Sequence, residues 1–125
     1  MSTLEAVMTT QEVANRFHEL AQTNDWDKIQ NELFAENAVS IEPPGSQALQ
    51  SAEGLPAIKE KGRRFGEMVQ EMHGGYTTAP VVGGKFFSVA MGMDVTMKGM
   101  SRMKMDEIAV YEVKDGKIVR EQFFY

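Results

Sequence analysis

The sequence predicts an α+β domain in which helices come first and cover one face of a curved, mainly antiparallel sheet. Three observations lead there. Apolar residues recur at helical spacing only before about residue 70. Between Phe87 and Met97 the chain instead alternates: Phe87, Val89, Met91, Met93, Val95 and Met97 are apolar, and Ser88, Ala90, Gly92, Asp94 and Thr96 are small or polar. A period of two means a long strand with one buried face. Breaks at Gly83-Gly84, Gly99-Met100-Ser101 and Asp115-Gly116 then divide everything after Met72 into strands.

The elements follow in order. Residues 1–8 read as a loose lead-in. Thr9 with Glu12 three residues on is a capping box, opening a helix to about Ala21 whose inner stripe is Val13, Phe17, Leu20 and Ala21. Asn24-Asp25 restarts a shorter helix from Trp26 to about Phe34, with Ile29 and Leu33 inward. Ala38–Glu42 is a short strand stopped by Pro43-Pro44-Gly45, because proline cannot donate to a ladder. The polar stretch from Gly45 to Gly54 is a candidate lid. Pro56 suits a first helical position and opens a third helix to about Val69. Gly62 and Gly66 within it serve either close packing or a bend.

The strands are expected at about Met72–Val81, Lys85–Lys98, Arg102–Val113 and Lys117–Tyr125. A three-residue turn at Gly99-Met100-Ser101 keeps Met97 beside Met103 and Met105, whereas a two-residue turn would oppose methionines to Lys104 and Asp106. Two continuations are open at the next turn. A bulge at Gly116 puts Glu107, Ala109 and Tyr111 on the face of Val119, Glu121 and Phe123; a two-residue Asp-Gly turn would invert that. Ile108, Val110, Ile118 and Phe124 then form a second apolar face, which predicts a homodimer through the sheet.

Composition narrows the function. A chain of 125 residues makes a single domain over 1–125 the expectation. With no cysteine, disulfides, thiolate catalysis and cysteine-ligated zinc are excluded. The start, Met1-Ser2-Thr3-Leu4-Glu5, has neither a basic segment nor an apolar run, so no signal peptide and a cytoplasmic location are expected. No apolar stretch approaches membrane-spanning length. A formal charge of −5 works against a phosphate backbone, so no nucleic-acid partner is expected. The histidines lack metal-binding spacing, and neither metal nor cofactor is expected.

What distinguishes the interior face is its methionine content, interrupted by acids. Methionine adapts to irregular apolar shapes, so such a face suits either a padded core or a ligand pocket. Phe17, Phe65, Met91, Met93, Met105, Tyr111, Glu121, Phe123 and Tyr125 are the candidate lining. Glu107 and Glu121 sit in otherwise apolar parity. A carboxylate buried there needs a proton, a cation or donors; the sequence leaves open whether the pair faces the interior, water or a partner. His73, two residues after Glu71, is a candidate general acid.

Two short helices, a strand ending in acid–proline, a third helix and a four-stranded meander resemble the nuclear transport factor 2-like superfamily. The stretch Leu33-Phe34-Ala35-Glu36-Asn37-Ala38-Val39-Ser40-Ile41-Glu42-Pro43-Pro44-Gly45 is similar to bacterial ketosteroid isomerases and SnoaL-like proteins. So is the ending Val113-Lys114-Asp115-Gly116-Lys117-Ile118 followed by an aromatic-rich strand. The resemblance implies a cone-shaped fold of three helices on a curved sheet. It also implies a general base at Glu42, the carboxylate before proline. The isomerase oxyanion hole, which needs a tyrosine hydroxyl and a protonated acid, would fall here on Phe17 and Ala109, so the resemblance implies that both donors are missing.

The implied activity is therefore a cofactor-independent isomerase, cyclase or lyase acting on a small apolar or carbonyl-containing compound. Glu42 would be its base, with His73, Tyr111 or Glu107 steadying the polar end. The alternatives are a non-catalytic binder of an apolar metabolite and a protein-interaction module using the sheet face.

Overall fold

The computed structural model describes residues 7–46 and 49–125; most of the expected lead-in and two residues of the candidate lid lie outside that range. The elements are α1 (Thr10–Gln22), α2 (Trp26–Leu33), β1 (Phe34–Ile41), β2 (Ala52–Glu53), α3 (Leu55–Met68), β3 (Val69–Thr77), β4 (Val81–Gly83), β5 (Phe86–Met97), β6 (Arg102–Lys114) and β7 (Lys117–Phe124). The sheet runs β2-β1-β7-β6-β5-β3, with β4 paired to β5 beside β3. The β1–β7 pairing is parallel and the others are antiparallel. Three helices on a mainly antiparallel sheet make this an α+β fold, as expected.

The helices begin where local chemistry starts them. The Thr9 hydroxyl accepts from the Glu12 N–H at 3.1 Å and the Glu12 carboxylate accepts from the Thr9 N–H at 2.9 Å, satisfying two donors that the first turn leaves free. Asp25 caps α2 by accepting from the Lys28 N–H at 3.2 Å. Val13, Ala14, Phe17, Leu20 and Ala21 of α1 and Ile29 and Leu33 of α2 are buried. The α3 glycines do not serve close packing: a methyl group at Gly62 or Gly66 would meet nothing within 4 Å.

Three strand expectations change. The stretch expected as one strand over Met72–Val81 is two, β3 starting directly after α3 and β4 resuming beyond Thr78-Ala79-Pro80. Pro80 lacks the N–H that a continuous strand would need. Within the stretch expected as a lid, Ala52 and Glu53 pair with Ser40 and Val39. The β5–β6 register sets Val95 against Met103 and Met93 against Met105, which preserves the expected face while shifting the pairs along it.

At the last hairpin both proposed features occur in a different arrangement. Lys114 pairs Lys117 around a two-residue Asp115-Gly116 turn, with φ of +51° and +76°. The bulge sits further on, at Val119: Glu112 pairs Arg120, but Val113 pairs Ile118. That extra residue restores the parity which the two-residue turn inverts, so Tyr111 faces Glu121 and Ala109 faces Phe123. It also corrects Ile118, expected on the outer face but fully buried in the core.

The core gathers at one end of the inner face. Phe17 of α1 packs on Phe87 and Tyr111 with ring centroids 5.4 and 4.7 Å away, and Phe87 stacks on Tyr111 at 4.9 Å. Ile29, Leu33, Phe34, Ile58, Val89, Ala109 and Ile118 complete this cluster. Burying a side chain such as Phe17 stabilises the fold by about 2–3 kcal/mol. The other end of the same face carries Met91, Met93, Met105 and Glu107, all only partly buried. On the outer face Phe86, Ile108 and Phe124 remain exposed.

Candidate functional site

The site forms where β1 ends beside β7 and α3 crosses above them. Parity along β1 buries Ala38, Ser40 and Glu42, while Val39 and Ile41 lie between them on the other face. The parallel register places Ser40 beside Glu121. From above, Ile58 is the buried residue of α3, and Lys61 and Phe65 follow it at spacings of three and four on the same stripe. The helix therefore lowers a lysine onto the acids.

Glu42 is held on both carboxylate oxygens. Lys61 Nζ donates to Oε2 at 2.6 Å and the Tyr125 hydroxyl donates to Oε1 at 2.7 Å. Its backbone N–H donates to Ser51 Oγ at 3.0 Å. Lys61 Nζ also donates to Ser40 Oγ at 2.6 Å and lies 5.3 Å from the centre of the Phe123 ring. The Tyr125 hydroxyl continues to Ser46 Oγ at 2.9 Å. Glu42 is 6 % exposed, so this is an interior ion pair with hydrogen-bonded surroundings.

Two further acids face the same point. Burial pushes the Glu121 carboxyl up to about 7, against the lowering influence of the Ser40 hydroxyl and the Lys61 ammonium. Burial likewise raises Glu107 to about 7, with the charges of Glu42 and Glu121 adding to the effect. Near neutrality these two groups can both give and take protons. Tyr111, opposite Glu121, is raised well above the ordinary phenol range by complete burial. A groove of about 290 Å³ runs along Ile41, Glu42, Pro43, Pro44, Gln122, Phe123, Phe124 and Tyr125.

The structure thus brings together Glu42, Glu107, Glu121, Phe123 and Tyr125. Met91 stands directly opposite Glu107 in the sheet, with Met93 opposite Met105 on the same face. Phe65 is half-buried on α3. Phe17 and Tyr111 belong to the packed core. His73 is not part of the group: its Nε2 lies 2.8 Å from Thr96 Oγ1, and Thr96 alternates with inward Val95 and Met97. Pairing of Met72 with Val95 and Gly74 with Asp94 leaves His73 at a bulge in β3, which turns it to the outer face.

Sequence reasoning missed Lys61 and Ser40. Both were signalled, Ser40 by parity from Glu42 and Lys61 by its helical spacing from Ile58. Among the described residues, no three His, Cys, Asp or Glu side chains are grouped to hold a metal ion.

Comparison with solved structures places the chain among relatives of this architecture. A proposed SnoaL-like polyketide cyclase from Mesorhizobium loti is 34 % identical, with a TM-score of 0.87 over 94 % of this chain and 100 % of its own. An NTF2-like protein from Burkholderia thailandensis has a TM-score of 0.78 at 17 % identity, over 94 % of this chain and 90 % of its own. TerC, co-crystallised with polyporic acid, has a TM-score of 0.72 at 16 % identity, over 93 % and 90 %. No functionally curated protein gives a significant match. The family profile of the SnoaL-like domain matches residues 8–125, and the chain belongs to the SnoaL-like domain family.

Proposed function

We propose that this protein is a cofactor-independent acid–base enzyme of isomerase or cyclase type, acting on a small apolar carbonyl compound, with Glu42 as general base. The observation that carries this reading is the placement of Glu42: inside the fold, paired with Lys61, and beside two acids able to relay protons near neutral pH. Methionines and Phe123 supply an apolar surface for the rest of the ligand. The binding of polyporic acid by TerC is a precedent for a small organic ligand on this fold. Glu107 and Tyr125 would steady the polar end of the substrate; His73, on the outer face, would take no part. The exposed Phe86, Ile108 and Phe124 support a homodimer through the outer sheet face.

The test uses 2-tetralone in deuterated buffer, following exchange at the carbon beside its carbonyl by NMR. Wild-type protein should accelerate exchange at least tenfold over buffer, and Glu42→Gln should abolish the acceleration. Equal exchange with and without wild-type protein would end the catalytic reading. The second reading, a non-catalytic binder, is favoured by one observation: both oxygens of Glu42 already have partners. It predicts saturable 2-tetralone binding without exchange.

A further inference from the structure

The ammonium of Lys61 is the positive charge at the centre of this site, and its bonding leaves it incompletely used. An ammonium carries three N–H donors. Two are taken at 2.6 Å by Ser40 Oγ and Glu42 Oε2. The remaining side faces the Phe123 ring, whose centre is 5.3 Å away. A ring face is a weaker partner than an oxygen anion, so a ligand oxygen arriving over Phe123 would displace it favourably.

We propose that Lys61 is a catalytic residue of this site, the electrophile that holds the enolate oxygen formed when Glu42 takes a proton from a ketone. The proposal rests on the acid–base reading above and adds to it the group that receives the negative charge formed on the substrate oxygen. The charge argument is local. Before reaction the ammonium is neutralised by the Glu42 carboxylate. The C–H bond beside the substrate carbonyl then breaks and its proton goes to Glu42. The bonding pair becomes the enolate C=C as the carbonyl π pair moves onto oxygen. Negative charge has passed from Glu42 to the substrate oxygen, and Lys61 faces one anion both before and after.

Return of the proton from Glu42 to the same carbon re-forms the ketone, as in exchange. Where the enolate is conjugated with a neighbouring C=C, return to the far carbon of that system re-forms the carbonyl, shifts the double bond and so isomerises the ketone. In both cases the Glu42 carboxylate is restored. A positive group already aimed where charge develops, in a partly dry site, stabilises that step without reorganising. Burial helps in a second way. Glu107 and Glu121 titrate at about 7 and hold protons below neutrality, so they add little repulsion to an arriving anion.

The probe is 4-nitrophenol, whose phenolate is coloured and imitates an enolate. In the site its O–H bond breaks, the pair stays on oxygen beside Lys61 and the proton goes to Glu42. Wild-type protein in excess should lower the ionisation midpoint of the bound probe at least tenfold in acid constant relative to the free phenol. Lys61→Gln keeps a hydrogen-bond donor without the charge and should remove the effect; Lys61→Arg should restore most of it. Circular dichroism melts establish that each variant is folded. Should Lys61→Gln fail to fold, the wild-type shift and its retention in Lys61→Arg carry the test. Absence of binding, an unshifted phenol in wild type, or a shift kept in Lys61→Gln would overturn the proposal. The 2-tetralone exchange assay separates the two readings. Loss of exchange in Glu42→Gln with the phenol unshifted sinks only the role of Lys61. A shifted phenol without exchange sinks only the base.

Discussion

Lys61 of α3 meets Glu42 at the end of β1 across 2.6 Å, with side chains 15 % and 3 % exposed. This contact ties the third helix to the strand that carries the acid–proline step. It decides how the buried carboxylate is tolerated, and it sets the chemistry available beside it. Removing one partner leaves the other charged or forces it to neutralise; either course costs stability.

Lys61→Met should accordingly destabilise the protein by about 3 kcal/mol. Combined with Glu42→Gln, part of that loss should return, because no buried charge is left unpaired. Urea unfolding of the two singles and the double gives the coupling directly. Additive losses would mean that the ion pair is not what holds these residues.

The raised acids make stability depend on pH in a specific direction. Glu121 titrates at about 7 when folded, against an ordinary value of 4.5. Between those values the native carboxyl retains a proton that the unfolded chain has released. Its stabilising contribution is therefore complete below about pH 4.5 and is lost as pH rises through about 7. The displacement corresponds to roughly 3 kcal/mol for this buried group. Glu121→Gln should flatten the slope of unfolding free energy across that interval and raise stability at pH 8. An unchanged slope would remove Glu121 from the account.

Gly92 lies under the ring of Tyr76, whose hydroxyl donates to Asp106 Oδ1 at 2.8 Å. A Cβ added there would come within 2.4 Å of Tyr76 Cε1 and 2.5 Å of Asp106 Oδ1. Both obstacles are ends of exposed side chains, so they can move aside at the expense of their hydrogen bond. Gly92→Ala should lower stability by about 1 kcal/mol. The same change in a Tyr76→Ala, Asp106→Ala background should have a much smaller effect in thermal melts.

Gly116 offers less room for escape. It has φ of +76°, and a Cβ would stand 2.7 Å from Val7 Cγ1 and 3.0 Å from the Met8 backbone nitrogen. Strain and collision add here, so Gly116→Ala should lower stability by about 2 kcal/mol. A loss no larger than that of Gly92→Ala in chemical denaturation would show that the segment before α1 yields freely.

The proposed dimer makes its own prediction. Ile108 and Phe124 pair across β6 and β7 on the outer face, 45 % and 50 % exposed. Sedimentation at micromolar concentration should give twice the chain mass for wild type and a single chain mass for Ile108→Glu. A wild-type monomer under those conditions would refute the interface.

The sequence by itself determined the succession of helices and strands, the inward stripes of α1 and α2 and the methionine face of β5. These follow from periods of 3.6 and 2 and from capping and turn residues, all of which act over a few positions. It left open how the last hairpin resolves, since a turn and a bulge each reverse parity and their effects cancel wherever the bulge falls; packing of Ile118 into the core selects Val119 for it. Tertiary structure also removed His73 from the site through an irregularity in β3 and split the strand at Pro80. Above all it brought Lys61 to Glu42. No local pattern states which cation will neutralise a buried acid, because that depends on the path of α3 over the sheet and on the geometry needed to offset the loss of solvation.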